Sequence, residues 1–420
     1  MNFPADINIL FFLGISVILA FYIGQSARVI RLPMILGYML TGIVLGPSML
    51  GLIDPAELEY LSFIIDVGLG IVAFSIGTEL DFSSLRRLGF GIVTVIFAES
   101  LGAFLLVFFF VYLFSQDLVL SVLLGAIAPA SAPAGTVAVI KEYKAKGPMT
   151  KALYAVVGFD DALGIIIFGF ALAFAKALLI SRGAGDAAVM TFDLWLPLTE
   201  IAASIAMGAV AGWLFTRMAE KPGDNGMMLV LVIGTVLLLT GVALQFHGSL
   251  ILLNMMAGII LTNFSHESVI QRVRSAIDSV LPLVFVLFFL VAGLHVDIGL
   301  LPSIGILGIV YIAGRSVGLM GGAYVGSVMG GMEKKIRHYL GFGILSQAGL
   351  AIGLGFLAKN ELAKFAAEYQ LADVAAIGTG ILLTISATSI FFELIGPVAT
   401  KFALEKAEEI ESEKKTKESL

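Results

Sequence analysis

Residues 154–168 read Tyr-Ala-Val-Val-Gly-Phe-Asp-Asp-Ala-Leu-Gly-Ile-Ile-Ile-Phe, with Asp160 and Asp161 adjacent in the middle of an apolar run. A charged residue at the centre of a membrane helix costs roughly 2.5–3.5 kcal/mol on insertion scales, so it persists only where it is partnered, hydrated or used. The pair therefore indicates an ion pathway through a membrane-spanning helix. The alternative is a structural pair that is buried against neighbouring helices.

The composition of the 420-residue chain excludes a soluble globular domain, because 59% of its residues are hydrophobic and only 13% are charged. The charged residues separate apolar stretches about 20 residues long, which is the helix length that crosses a bilayer. The predicted spans cover residues 7–27, 33–50, 60–79, 88–114, 118–140, 150–180, 194–217, 227–246, 249–263, 277–296, 302–329, 337–358 and 370–400. The sequence therefore predicts an all-α polytopic membrane protein with 13 transmembrane helices.

The lysine and arginine residues predict the orientation of these spans. Of the 25 such residues, Arg315 lies inside a span and 24 lie outside the apolar cores of the spans. Only four of those, Lys176, Arg182, Lys359 and Lys364, are on one side; the other twenty, including five lysines of the tail, are on the opposite side. Positive charge marks the cytoplasmic side. We expect a multi-pass protein of the cell (inner) membrane, with the N-terminus outside and the C-terminus in the cytoplasm.

Two halves of the chain repeat at one offset of 216 residues. The matched segments are Thr41–Leu45 with Ala257–Leu261, Gly77-x3-Asp81 with Gly293-x3-Asp297, and Ser100-x-Gly102 with Ser316-x-Gly318. Chance matches of common residues explain single coincidences but not the paired Gly-x3-Asp steps. The offset maps spans 1–6 onto spans 8–13, so equivalent helices cross in opposite directions. Two such inverted-topology six-helix repeats are typical of secondary transporters that alternate access around a midplane site.

Three charged positions reach the same depth. Glu99 and Asp161 lie eleven residues after the start of their spans and Arg315 lies thirteen, which is about 16–20 Å along a helix. Glu99 and Arg315 are equivalent in the repeat, and Glu99 is open to three interpretations: an accessory proton site, a structural partner or a modifier of the site. Asp160 and Asp161 point about 100° apart, so one could face Arg315 and the other a water-filled cavity. Arg315 is a fixed counter-charge, because its guanidinium does not deprotonate.

The fifth predicted span is interrupted by two prolines. It contains Ala128-Pro129-Ala130-Ser131-Ala132-Pro133, and each proline removes a backbone donor and clashes with the preceding turn. An unwound segment here would offer half-helix ends and carbonyl groups to ions. The alternative is a simple proline kink. The equivalent segment in span 12, residues 345–349, contains no proline, so we expect a weaker break there.

On these residues the chain resembles the monovalent cation:proton antiporter superfamily, in its double-aspartate sodium/proton branch of the NapA and NhaA type. The matching features are residues 157–161, the broken span 5, the Gly-x3-Asp steps, Arg315 and Glu393-x2-Gly396-Pro397. The resemblance implies a homodimer whose mobile core alternates access. It places dimerisation-domain halves at residues 1–87 and 223–300, core-domain halves at 88–182 and 301–400, a connector helix at 183–222 and a charged cytoplasmic tail at 401–420.

The same resemblance implies roles for individual residues. Asp161 is the carboxylate that binds Na⁺ or H⁺, and Asp160 is the partner of Arg315. Ser131 and main-chain carbonyls of the unwound segment are the candidate ligands, since this chain lacks the Thr or Asp that relatives often carry there. Relatives often have Lys where Arg315 stands, and that lysine has been assigned a proton-carrying role, which an arginine does not take over.

The leading functional hypothesis is exchange of Na⁺ or Li⁺ for H⁺ by a secondary active transporter in pH homeostasis. The alternative is a K⁺/H⁺ antiporter or K⁺ efflux transporter, and a third possibility is a Na⁺-coupled organic anion symporter that uses Arg315. An intramembrane aspartyl protease is disfavoured, because its two carboxylates must share a proton, whereas adjacent aspartates diverge on a helix. We expect no enzymatic activity, no cofactor besides the transported ions, no nucleic-acid partner, contact with membrane lipid, and no regulatory domain in this chain.

Overall fold

The computed structural model describes residues 8–30, 32–83, 89–183, 195–221, 224–246, 248–296, 299, 305–347, 349–369 and 372–410. Within these ranges the chain forms α-helices, a short 3-10 helix at Leu340–Phe342 and no β-strand. The α-helices are α1 (Ile9–Val29), α2 (Met34–Leu45), α3 (Pro55–Glu59), α4 (Ser62–Glu79), α5 (Phe90–Ser115), α6 (Leu118–Ile127), α7 (Pro133–Glu142), α8 (Pro148–Gly183), α9 (Trp195–Ala219), α10 (Asn225–Gln245), α11 (Leu250–Phe264), α12 (Glu267–Leu294), α13 (Gly305–Met329), α14 (Lys334–Tyr339), α15 (Gly349–Tyr369) and α16 (Ala372–Ala407).

Every predicted span contains one of these helices, which confirms the all-α polytopic fold. In the described part of the chain, nine helices are long and apolar enough to cross a membrane, and three more are shorter and apolar. The fifth and twelfth predicted spans are each divided between two helices, α6 with α7 and α14 with α15. Helix α12 begins at Glu267, ten residues before the start of the predicted span. The prediction missed these first turns because they carry Arg272 and Arg274, and the spans were predicted from apolar residues.

The first of two compact units contains α1–α4, α7, most of α9 and α10–α12. Several of its helix pairs are in close contact at glycine residues. A methyl group at Gly42 of α2 would collide with the Leu290 carbonyl oxygen of α12. A methyl group at Gly258 of α11 would collide with the Phe74 carbonyl oxygen of α4. Small residues at such contacts let helix backbones approach closely within a membrane.

These contacts reproduce the sequence repeat in three dimensions. Gly77 lies against the Met255 carbonyl oxygen, and Gly293 lies against the Met39 carbonyl oxygen. Both 293 − 77 and 255 − 39 equal 216, so the contact of α2 with α12 recurs, with the halves exchanged, as the contact of α11 with α4. A two-fold relation between the repeats requires this exchange. Asp297, which ends the second Gly-x3-Asp step, lies outside the described residues.

The second compact unit contains α5, α6, α8 and α13–α16. Helices α5 and α13 cross at Gly102 and Gly318, which are equivalent positions of the repeat. A methyl group added at Gly318 would lie 2.7 Å from the Gly102 carbonyl oxygen. Glu99 and Arg315 each precede their contact glycine by three residues, about one helical turn. The crossing therefore brings an acid and a base to equivalent places on two closely packed helices.

Helix α7 packs differently from the predicted domain division. The predicted core half, residues 88–182, includes α7, whereas the structure packs α7 against α2 and α4 in the first unit. Near the end of α7, the Lys141 Nζ lies 3.1 Å from carboxylate oxygens of both Glu79 and Asp278. The domain boundaries themselves stay a prediction.

The tail fixes the start of the helix that carries the two aspartates. The predicted tail, residues 401–420, begins as a continuation of α16 to Ala407. Beyond it, the Glu409 carboxylate accepts hydrogen bonds from the backbone N–H groups of Met149 (2.6 Å) and Thr150 (2.7 Å). The first N–H groups of a helix have no partner inside it, and a carboxylate there complements the helix dipole. Residues 411–420 lie outside the described residues.

Candidate ion site at two broken helices

The first break separates α6 from α7. Helix α6 ends at Ile127 and α7 begins at Pro133, so residues 128–132 connect them without helical structure. Pro129 lies within the break. Pro133 is the first residue of α7 instead of an unwound residue, a position that suits proline because the first helical N–H needs no partner within the helix.

The second break separates α14 from α15. The helix ends at Tyr339, one 3-10 turn follows, and α15 begins only at Gly349. Our expectation of a weaker break in span 12 is therefore wrong. The backbone N–H of Ala132 donates a hydrogen bond to the Ser346 carbonyl oxygen (3.0 Å), so the two breaks are in direct contact.

Arg315 connects the two breaks. Its side chain is fully buried, and the centre of its guanidinium lies 4.3 Å from the ring centroid of Phe392. All of its hydrogen bonds go to backbone carbonyl oxygens, which are those of Ala128 (2.9 Å), Ala130 (3.1 Å), Leu345 (2.6 Å) and Ser346 (3.3 Å). A guanidinium has five N–H donors in a fixed fork. It therefore satisfies carbonyl groups that both interrupted helices leave without an intrahelical partner.

This arrangement differs from the ion pair that the resemblance implies. Among the described residues, no carboxylate lies within ion-pair distance of Arg315, and the Asp160 carboxylate accepts no hydrogen bond from it. Backbone carbonyl oxygens of the two breaks take the place of a carboxylate, because they accept the hydrogen bonds of the guanidinium. Asp160 is therefore not held by the arginine in this structure.

Asp160 and Asp161 are both 1% exposed, and both lie in α8. Within the described chain, none of their four carboxylate oxygens has a hydrogen-bond partner. Ser131, in the first break, is their polar neighbour: its hydroxyl interacts electrostatically with Asp160 and its backbone N–H with Asp161, although neither contact meets hydrogen-bond geometry. Burial of an unpartnered carboxylate is costly, so these oxygens are suited to hold a proton or a cation.

Helix α8 runs along the first break on the side of Asp161. A methyl group added at Gly164, three residues after Asp161 and on the same helical face, would lie 3.7 Å from the Ala130 backbone nitrogen. This contact places Asp161 next to the unwound segment. The predicted neighbours Asp161 and Ser131 are thus brought together by the fold.

Glu99 is fully buried in α5. One of its carboxylate oxygens accepts a hydrogen bond from the Ser100 hydroxyl (2.7 Å), and the other has no partner in the part of the chain that the structure describes. Its three predicted roles stay open. The backbone of Glu99 lies close to α13, because a methyl group at Gly322 would be 2.6 Å from the Glu99 Cα atom.

Two polar residues at the second break received no role from the sequence. The Gln347 side-chain nitrogen donates a hydrogen bond to the Tyr311 hydroxyl oxygen (2.9 Å), and both residues are fully buried. The signal that points to Gln347 is the repeat itself, since 347 − 131 equals 216 and Ser131 is the polar residue of the first break. Tyr311 precedes Arg315 by four residues on α13, which puts both on one helical face.

Comparison with known proteins identifies relatives along nearly the whole chain. A family model described as "Sodium/hydrogen exchanger, transmembrane" matches residues 15–406. The ammonium/H⁺ antiporter subunit AmhT of Alkalihalophilus pseudofirmus is 23% identical over 407 residues, which cover 95% of this chain and 96% of AmhT. The glutathione-regulated potassium-efflux system protein KefC of Klebsiella pneumoniae is 25% identical over 297 residues, which cover 67% of this chain and 45% of KefC.

Solved structures show a similar fold. Two structures of the sodium proton antiporter MjNhaP1 from Methanocaldococcus jannaschii superpose on this chain. One, at pH 8, has a TM-score of 0.67 and 18% identity and covers 94% of this chain and 97% of the other. The other, an electron-microscopy structure, has a TM-score of 0.75 and 19% identity and covers 97% and 100%.

Proposed function

The chain belongs to the sodium/hydrogen exchanger family, and we propose that it exchanges Na⁺ or Li⁺ for H⁺ through Asp161. Family membership confirms the predicted resemblance and the interpretation as a monovalent cation/proton antiporter. The cation that is carried and the residues that bind it are the proposal. Exchange of this kind is transport, so we assign the chain no enzymatic reaction and no resident cofactor.

One observation carries the proposal: four buried carboxylate oxygens, on Asp160 and Asp161, lack hydrogen-bond partners among the described residues beside a broken helix. A buried carboxylate without a partner favours binding either a proton or a cation. Because both ligands neutralise the same charge, they compete for it. Release of one to either side of the membrane then drives uptake of the other.

The surrounding residues take separate roles. Ser131 and the unwound backbone beside it supply neutral oxygen ligands for the cation at Asp161. Arg315 contributes a fixed positive charge, but its donors are occupied by the carbonyls of the breaks. Arg315 therefore holds the two breaks together and does not release a proton. Glu99, which has one unpartnered oxygen, is an accessory acid whose function is one of the three predicted above.

The transport cycle that we propose is alternating access in a homodimer. The core halves, residues 88–182 and 301–400, move against the dimerisation halves, residues 1–87 and 223–300, with residues 183–222 as connector. The inverted repeat and the inside bias of lysine and arginine support this cycle and an N-terminus outside the cell membrane. Residues 401–420 form the charged cytoplasmic tail.

Ammonium is a second candidate cargo, and K⁺ exchange or efflux is the alternative from the sequence. AmhT, which matches this chain from end to end, is named for ammonium. The unpartnered carboxylate oxygens of Asp160 and Asp161 favour ammonium as a cargo, because an ammonium ion donates hydrogen bonds to such acceptors. KefC, named for potassium efflux, matches over a shorter region.

Proteoliposomes with an imposed pH gradient and an internal pH dye test the proposal. Na⁺, Li⁺, K⁺ and NH₄⁺ are added in turn to vesicles with wild-type protein, with the Asp161→Asn variant, and with Asp66→Asn. Asp66 is the matched control, an aspartate of spanning helix α4 in the first unit. We expect Na⁺ and Li⁺ to dissipate the gradient with wild-type and Asp66→Asn protein only. A response to K⁺ alone, or to NH₄⁺ alone beyond the response of protein-free vesicles, in which NH₃ diffusion dissipates the gradient, would replace the cargo. No protein-dependent response to any cation would overturn exchange.

A further inference from the structure

Gln347 has an amide oxygen without a hydrogen-bond partner where the two breaks are in contact, among the residues that the structure describes. Its side chain is fully buried. The amide nitrogen donates to the Tyr311 hydroxyl (2.9 Å) and makes a longer contact to the Ala130 carbonyl oxygen (3.5 Å). A buried amide that satisfies only its nitrogen keeps a costly unpaired acceptor.

The orientation of this amide follows from its neighbours. A carbonyl oxygen accepts hydrogen bonds and cannot donate them, so the Ala130 carbonyl selects the nitrogen of Gln347 on its side. The oxygen of the same amide is consequently left without a donor. Ala130 directly precedes Ser131, the neighbour of both aspartates. The side chain of Gln347 and the two aspartates thus adjoin the same short segment of the first break, residues Ala130 and Ser131.

The repeat gives Gln347 a counterpart. Ser131 in the first break and Gln347 in the second are 216 residues apart, and each has a buried side-chain oxygen without a partner in the described chain. Amide and hydroxyl oxygens can coordinate alkali ions and can accept hydrogen bonds from ammonium. Neither the amide nor the hydroxyl group titrates near neutral pH. The first break therefore contributes the neutral oxygen of Ser131, and the second contributes those of Gln347 and Ser346, in addition to the carboxylates of α8.

We propose that Gln347 is a specificity-determining residue for the transported cation. Tyr311 holds its amide nitrogen, and its amide oxygen is a neutral ligand for a dehydrated monovalent cation at the crossing. This inference rests on the proposed function. It divides the labour of the site: Asp161 sets the competition between proton and cation, whereas Gln347 affects cation affinity and selectivity without binding a proton.

The test measures exchange by Gln347→Met in proteoliposomes with Na⁺, Li⁺, K⁺ and NH₄⁺ at several pH values. Methionine keeps the length of the side chain and removes the amide. We expect the half-saturating concentration of the preferred cation to rise about tenfold, the effect of losing one good polar contact. The ratio of half-saturating concentrations between cations should change as well. The pH at which protons halve the rate, measured at a fixed fraction of saturation, should not move.

Asn254→Leu is the matched control. Asn254 of α11 is also a fully buried amide whose nitrogen donates to a hydroxyl, that of Thr240 (3.2 Å), and whose oxygen is unpartnered in the described chain, but it lies in the first unit. We expect this variant to lose thermal stability and to keep wild-type cation affinities. Equal shifts of cation affinity in both variants would mean that any buried amide has this effect, and would overturn the assignment.

Tyr311→Phe provides an independent arm if Gln347→Met does not fold. It removes only the hydroxyl that holds the amide, so we expect a smaller rise in the half-saturating concentration, about threefold. Wild-type affinity and selectivity in every folded variant at Gln347 or Tyr311, beside active wild-type protein, would overturn this inference alone. Absence of exchange by wild-type protein would overturn the proposed function and this inference with it.

Discussion

Both breaks interrupt a helix, but the two sequences at the breaks differ. The first break contains Pro129 and is followed by Pro133, whereas residues 340–349 at the second break contain no proline. Elsewhere, Pro282 and Pro397 lie inside α12 and α16 without interrupting them. Proline is therefore neither necessary nor sufficient for a break here. Both breaks instead share Arg315, which donates to the carbonyl groups that they expose.

The breaks also differ in what lies beside them. Ser131 of the first break neighbours the unpartnered carboxylates of Asp160 and Asp161. Gln347 of the second break is bonded to Tyr311. The two breaks are related by the repeat, but the first lies beside acidic side chains and the second beside neutral ones. Because backbone carbonyls of the breaks already accept the hydrogen bonds of Arg315, the aspartates are left available for exchangeable ligands.

The largest effect should come from the acidic side. Asp161→Asn removes the charge for which proton and cation compete, so cation-driven proton movement in proteoliposomes should fall to the level of empty vesicles. The protein should still elute as a folded species, because no hydrogen bond among described residues depends on this carboxylate. Wild-type exchange by Asp161→Asn would remove Asp161 from the mechanism and leave the two sides functionally equal.

Removing the shared donor should have the largest effect on stability. Arg315→Met removes the guanidinium donors from four buried carbonyls, two of which, those of Ala128 and Leu345, depend on it most, and we expect a loss of about 3–5 kcal/mol, as for one member of a buried charged cluster. Thermal unfolding in detergent measures it. Arg217→Met is the control, because Arg217 stacks on Trp213 at an exposed position and should cost about 0.5 kcal/mol or less. Equal melting temperatures for both variants would show that Arg315 does not hold the breaks.

Proline removal should matter far less. With Arg315 in place, Pro129→Ala should change the unfolding free energy by about 1 kcal/mol or less and preserve exchange. Pro282→Ala in continuous helix α12 is the control and should behave similarly. A loss of exchange confined to Pro129→Ala would indicate that the proline, and not the arginine, keeps the first helix open.

The smallest effect on stability is expected at Asp160. Its carboxylate accepts no hydrogen bond among the described residues, so Asp160→Asn should leave the melting temperature unchanged or raise it slightly. A direct ion pair with Arg315 would instead make this variant lose several kcal/mol, as breaking a buried pair does. The melting temperature of Asp160→Asn therefore distinguishes the two arrangements.

Much of this fold was predictable from local and periodic signals. Apolar length gave the spans, and the 216-residue offset anticipated the exchanged contacts of Gly77 with Met255 and Gly293 with Met39. The second break was not predictable, because it contains no proline and its Leu345 carbonyl is satisfied by a side chain 30 residues away in the sequence, that of Arg315. The partners of Arg315 were not predictable either. The resemblance implied an ion pair with Asp160, whereas the structure shows hydrogen bonds to backbone carbonyls that are distant in the sequence.

Proton release on cation binding tests the central claim most directly. Na⁺ is added to purified, weakly buffered wild-type protein in detergent near neutral pH, and a pH indicator reports released protons. Because the cation displaces a proton from Asp161, we predict release of about one H⁺ or more per bound Na⁺ and weaker Na⁺ binding as the pH falls. Asp161→Asn should release none. Saturable Na⁺ binding to wild-type protein without proton release would contradict competition at Asp161.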